Sequence, residues 1–185
     1  MNYVQPIRDP AKIEEIKNLL LHKSYRDYFM FYLGINTGLR ISDLLPLKVE
    51  DVRNKDYIIL IEKKTSKTKK KNKTKRFIIN DELKVEIQKY TLGMADEDYL
   101  FHSQKGGHMK RVRAYEILKE VGNKAGVDEI GTHTMRKTFG YHFYKKHKDV
   151  AMLQKIFGHS APSITLRYIG IEQDEIDEVL RDFNL

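Results

Sequence analysis

The chain contains no cysteine. That removes disulfides, thiol nucleophiles and cysteine-held zinc from its chemistry, and it fits a reducing cytoplasm. It also lacks an apolar run long enough to cross a bilayer, which takes about 20 consecutive apolar residues, so no membrane partner is expected. The opening MNYVQPIRDP has no charged-then-apolar order, so no secretion signal is visible. There is no internal repeat, no domain-scale linker and no carboxylate cluster suited to a metal ion. What is there is 185 residues with an apolar fraction of 41%, enough for one domain with a real core.

The charge is uneven. The formal net charge is +8, from 34 Lys+Arg against 26 Asp+Glu. Residues 63–76, KKTSKTKKKNKTKR, hold nine basic side chains and no acid, and the rest of the chain nearly balances. Such a run is commonly a solvated tip. Concentrated as it is, it also suits a polyanion, because neutralising phosphates drives nucleic-acid binding. The last fifteen residues carry six acids and one arginine.

Periodicity predicts a mainly helical α+β domain. Asp9 and Pro10 have the order of an N-cap and first helical residue, followed by Ile13, Ile16 and Leu20 on one face. Ser24 and Asp27 open an apolar helix that Gly38 stops, and RISDLLPL gives a short helix. DYIILIEKK and RFIIN are β-branched and flank the lysine run, which predicts an antiparallel hairpin with a basic tip. Asn80 or Asp81 caps a further helix, DYLFHS reads as a short extended piece, and Gly126 ends the helix that follows. HTMRKTFGYHFYKK, the stretch from Asp149 to Gly158, SAPSITLRY and residues 172–183 read as the remaining helices. The last has an apolar stripe of Ile176, Val179, Leu180 and Phe183.

Several side chains could carry phosphate chemistry, and each also has a plain structural reading. Arg40, after a glycine turn, can offer a permanently charged fork to a phosphate or pair with Asp43 one turn on. Arg136 carries the same two readings. His133 and His159 can handle protons or be hydrogen-bonded structural imidazoles, the reading kept for His102 and His147. Tyr168 is one of eleven tyrosines, most of them expected in the core, yet a phenol can serve as a covalent nucleophile.

In order, TGLRISDLLPL, a lysine on a hairpin, HTMR, FGHS and a tyrosine nine residues beyond the second histidine form a highly specific set. Together they resemble the catalytic domain of the tyrosine recombinases, the phage-type integrases, over residues 37–170 and, by extension, the whole chain. The resemblance implies Arg40, His133, Arg136 and His159 as the phosphate-binding and proton-handling residues and Tyr168 as nucleophile, with Asp43 structural. It implies a hairpin lysine as general acid. Lys64-Thr65 fits that position and Lys67-Thr68 repeats the pattern; Lys64 is taken. Lys63, Lys67, Lys69, Lys70, Lys71 and Lys73 are then expected on DNA phosphates.

The implied activity is DNA cleavage and rejoining through a 3′-phosphotyrosyl intermediate in site-specific recombination, without metal or cofactor. A type IB topoisomerase-like relaxase and a non-catalytic DNA-binding protein on the same fold stay open. The expected partner is double-stranded DNA, with a monomer assembling on it as dimer or tetramer. Residues 1–185 read as a single catalytic domain without the family's upstream core-binding domain, its terminal helix open to exchange between protomers.

Overall fold

Asp9 begins the first helix as its sequence suggests. Its carboxylate accepts the Ala11 amide at 2.8 Å and Pro10 occupies the first turn, which starts α1, Pro10–Lys23. The computed structural model describes residues 4–62, 73–181 and 183, with backbone alone at Glu62, Lys73, Glu175 and Val179. Lys63, Lys64, Lys67, Lys69, Lys70 and Lys71 therefore lie outside the described residues, as does the side chain of Lys73.

Ser24 closes α1 and caps α2, Tyr25–Thr37, by accepting the Asp27 amide. Phe29, Met30, Phe31 and Leu33 are fully buried, so α2 is the central helix of the larger core. Gly38 ends it at φ 65°, a left-handed conformation that costs a side chain about 1–2 kcal/mol. A Cβ there would also fall 2.5 Å from the Phe139 ring. The sharp turn delivers Arg40 to the start of α3, Ile41–Leu44.

After a 3-10 turn at Val49–Asp51, β1 (Tyr57–Glu62) pairs antiparallel with β2 (Lys73–Ile78). Alternation sorts the hairpin into two faces. Ile58, Leu60 and Phe77 turn to the core, whereas Ile59, Ile61, Arg76 and Ile78 are exposed. Asn80 caps α4, Asp81–Tyr90, by accepting the Leu83 amide at 2.9 Å. DYLFHS departs from its expectation. It makes only the isolated bridges Lys48↔Tyr99 and His102↔His108, because Gly106 and Gly107 turn the chain back after one pairing.

Helix α5, Arg111–Ala125, ends at left-handed Gly126. Then follow α6 (Thr134–His147), α7 (Val150–Phe157), α8 (Pro162–Ile169) and α9 (Ile171–Arg181), the last one residue earlier than expected at its start. Leu153, Phe157, Ile169 and Ile171 make a second, smaller core. Helix α6 joins the two cores, with Met135 in the larger and Phe139 against the smaller. Its glycine permits the close approach: a Cβ on Gly140 would lie 2.7 Å from both Ile169 and Phe157. The result is a mainly helical α+β domain whose described strands form one two-stranded sheet.

Candidate active site

The C-terminal end of α7 is the anchor. Carbonyls there lack helical partners and carry partial negative charge. The Phe157 carbonyl accepts from Arg136 Nη2 at 2.9 Å and from Arg40 Nη2 at 3.5 Å, the second contact being at the limit of a hydrogen bond. Arg136, in the first turn of α6, is only 5% exposed, and its Nη1 donates to the Gly38 carbonyl. Its guanidinium lies 4.1 Å from the Phe157 ring centroid. Burial lowers its pKa below the usual guanidinium value, with the nearby Arg40 acting the same way and Tyr168 and Asp43 opposing it. Guanidinium stays charged even so. Two arginines far apart in the sequence thus converge on one carbonyl, Arg40 exposed and Arg136 held beneath it.

The two histidines flank a tyrosine. His133 Nδ1 is 3.2 Å from the Tyr168 hydroxyl, and His159 meets the Tyr168 ring edge-on at 5.2 Å. Thr165 Oγ1, fully buried on α8, is 3.0 Å from His159 Nδ1 and fixes that ring. Burial, then Arg111, Lys137, Arg136 and Arg40, holds the His133 pKa below 6.5. Burial, then Arg136, Arg40 and Lys75, does the same to His159. Both imidazoles are therefore neutral at pH 7.

Half-buried Tyr168 has its pKa raised above 10.0 by desolvation, against the pull of Arg136 and Arg40. Its phenol is protonated at neutral pH and can donate to His133 Nδ1. Lys137 Nζ lies 5.1 Å from the Tyr168 ring centroid and donates to the Val4 carbonyl at 2.7 Å. The arrangement is a protonated phenol beside a neutral acceptor, with fixed cations around it. It can bind an anionic ester and present a hydroxyl to it.

Arg40, His133, Arg136, His159 and Tyr168 come together in this cluster. Lys64 lies outside the described residues, and Asp43 acts electrostatically on Arg136. Motif reading missed the Phe157 carbonyl, Thr165, Lys137, Arg111 and Lys75. Only the FGH glycine hinted at the first, by marking a helix end. Of the histidines kept as structural, His147 packs on Phe143 at 4.8 Å. Among the described residues, no group of three or more His, Cys, Asp or Glu is placed to hold a metal ion.

Comparison with known proteins fits this geometry. The model of the phage integrase family matches residues 9–175. A probable integrase/recombinase of Bacillus subtilis, YoeC, is 54% identical over 175 residues, which is 94% of this chain and 93% of that protein. The tyrosine recombinase XerD of Corynebacterium glutamicum is 30% identical over 84% of this chain, but the match spans 52% of its own length. Among solved structures, XerA recombinase superposes with a TM-score of 0.71 at 20% identity, covering 98% of this chain and 67% of that one. XerH bound to its difH substrate gives 0.66 at 18% identity, covering 95% and 54%. Those two likenesses are of fold.

Proposed function

The chain belongs to the phage integrase family, and from that premise we propose that it is a site-specific DNA recombinase working through a 3′-phosphotyrosyl intermediate. The observation that carries this reading is the Tyr168–His133 hydrogen bond beside two arginines gathered on the Phe157 carbonyl. In the proposed step Tyr168 Oη attacks the scissile phosphorus and its proton passes to neutral His133 Nδ1. The P–O5′ bond breaks as the P–O bond to tyrosine forms, and the 5′ oxygen leaves as a hydroxyl after taking a proton from Lys64. Arg40 and Arg136 offset the charge that builds on the non-bridging oxygens. His159, held by Thr165, orients the phosphate. The reverse path rejoins a strand with no external energy source, because the ester keeps the bond.

Double-stranded DNA is the partner this chemistry needs, and the substrate-bound XerH structure supports it by likeness. Lys63, Lys67, Lys69, Lys70, Lys71 and Lys73 are the proposed backbone contacts around the hairpin. Assembly on DNA is supported by α9, where Ile176 is 46% and Leu180 58% exposed, and by Phe183 just beyond it, 63% exposed. An apolar stripe left open next to the nucleophile suits docking on a neighbouring protomer, and it favours recombination over relaxation by a lone subunit.

The test is covalent capture. A nicked duplex library with randomised sequence is incubated with the protein in excess EDTA, and adducts are isolated on a denaturing gel. A sequence-enriched adduct is expected. Adduct formation that requires added magnesium, or none at all, would contradict the proposal.

A further inference from the structure

The sequence has nine chemically similar cations between 63 and 76, and composition gives no ground for choosing among them. Strand register separates two that lie in β2, Lys75 and Arg76. Lys75 pairs with Leu60 and shares the core-directed face with Phe77 and Ile58, whereas Thr74 and Arg76 fall on the outer face. Lys75 is half-buried, and Arg76 is exposed over the Tyr57 ring at 4.2 Å. The Lys75 ammonium reaches the end of α7: a Cβ on Gly158 would fall 2.5 Å from Nζ. Gly158, at φ 69°, lies between Phe157, whose carbonyl holds both arginines, and His159.

We propose that Lys75 is a further substrate-contacting cation of the site, binding a non-bridging oxygen of the scissile phosphodiester beside Arg40 and Arg136. The inference rests on the recombinase reading above and is separate from the proton donor assigned there to Lys64. Three cations from three elements meet at the carbonyl end of one helix, where the local field already favours positive charge. A phosphate arriving there meets a preformed cationic cradle with little reorganisation. Lys75 stands on a paired strand, so the strand register directs its stem to the site. The proximity of its charge to His159 is consistent with that imidazole remaining neutral.

The experiment uses the full chain carrying Lys75→Met, which keeps the apolar stem and loses the charge, with Lys75→Arg and the outer-face Arg76→Met for comparison. The first readout needs no DNA: NMR titration of the His159 ring. Its midpoint is expected to rise in Lys75→Met and to stay put in Arg76→Met; an unchanged midpoint in Lys75→Met overturns the placement. The second is single-turnover cleavage at saturating concentration of a nicked duplex obtained by the covalent capture above. Lys75→Met is expected to be slower by on the order of 100-fold, with partial recovery in Lys75→Arg. The deficit should shrink on a substrate with a neutral methylphosphonate at the scissile position and persist with sulfur at the bridging 5′ position. A wild-type rate at saturation, an equal deficit on all three substrates, or rescue by sulfur would each overturn the proposed contact. A wild-type protein that forms no adduct overturns the recombinase reading instead, and the titration still decides whether Lys75 faces the site.

Discussion

In the proposed step a neutral His133 takes the Tyr168 proton, and this fixes a pH dependence. The His133 pKa is held below 6.5, so the acceptor form dominates above that value and is lost as pH falls through the lowered one. Adduct formation is expected to be flat from pH 8 to the ordinary imidazole range near ~6.5 and to fall only on the acid side of it. Arg111→Ala removes a like charge and should move that limb upward; a limb that stays in place would exclude Arg111 from the site's electrostatics. Thr165→Val keeps the volume and deletes the partner of His159 Nδ1. It is expected to slow cleavage about tenfold, or ~1.4 kcal/mol in the barrier, with DNA affinity unchanged in a gel-shift titration. Sequence reading named Arg40, His133, Arg136, His159 and Tyr168, which the fold gathers into one cluster, because side chains at family spacing carry a signature. It did not reach the Phe157 carbonyl, because every residue has one, nor Thr165, a buried threonine like several others. Lys75 was hidden among chemically equivalent neighbours until register set it on the opposite face from Arg76.

The helices were legible through their ends. Asp9, Ser24, Asn80 and Asp149 cap as read, and Gly38, Gly126 and Gly158 stop their helices in the left-handed region. The segment DYLFHS was not, because its strand character depends on single pairings with Lys48 and His108, which lie outside its own sequence. Helix α6 was read as a helix from HTMRKTFGYHFYKK even though it packs against both cores and shows no single apolar face. That position makes its glycine sensitive. Gly140→Ala inserts a methyl 2.7 Å from Ile169 and Phe157, and overpacking of this kind costs about 1–3 kcal/mol. Urea unfolding is expected to show that loss, and cleavage should weaken as α8 is displaced from α6. A midpoint equal to wild type would mean that α8 yields freely.

At the scale of the whole molecule, the segment before α1 is tied to α6 and α9. Lys137, Thr138 and His142 of α6 bind Val4 and Ile7, and Arg8 pairs with Asp174 of α9. That exposed pair adds little stability; it links the segment before α1 to the first turn of α9. Ile171 is buried in the second core, so the helix is rooted at its base while its later stripe stays open. Ile176→Asp with Leu180→Asp is therefore expected to leave monomer stability within about 0.5 kcal/mol and to abolish higher complexes on DNA in sedimentation runs. Intact assembly would rule out the stripe as the contact. The central claim is that one tyrosine among eleven takes the DNA strand. The most direct measurement digests the covalent adduct with nuclease and trypsin and locates the nucleotide by mass spectrometry. The segment between Lys155 and Arg181 contains Tyr168 as its sole tyrosine; a 3′-linked nucleotide on that tyrosine is the expected result, and a nucleotide on any other residue would contradict the account.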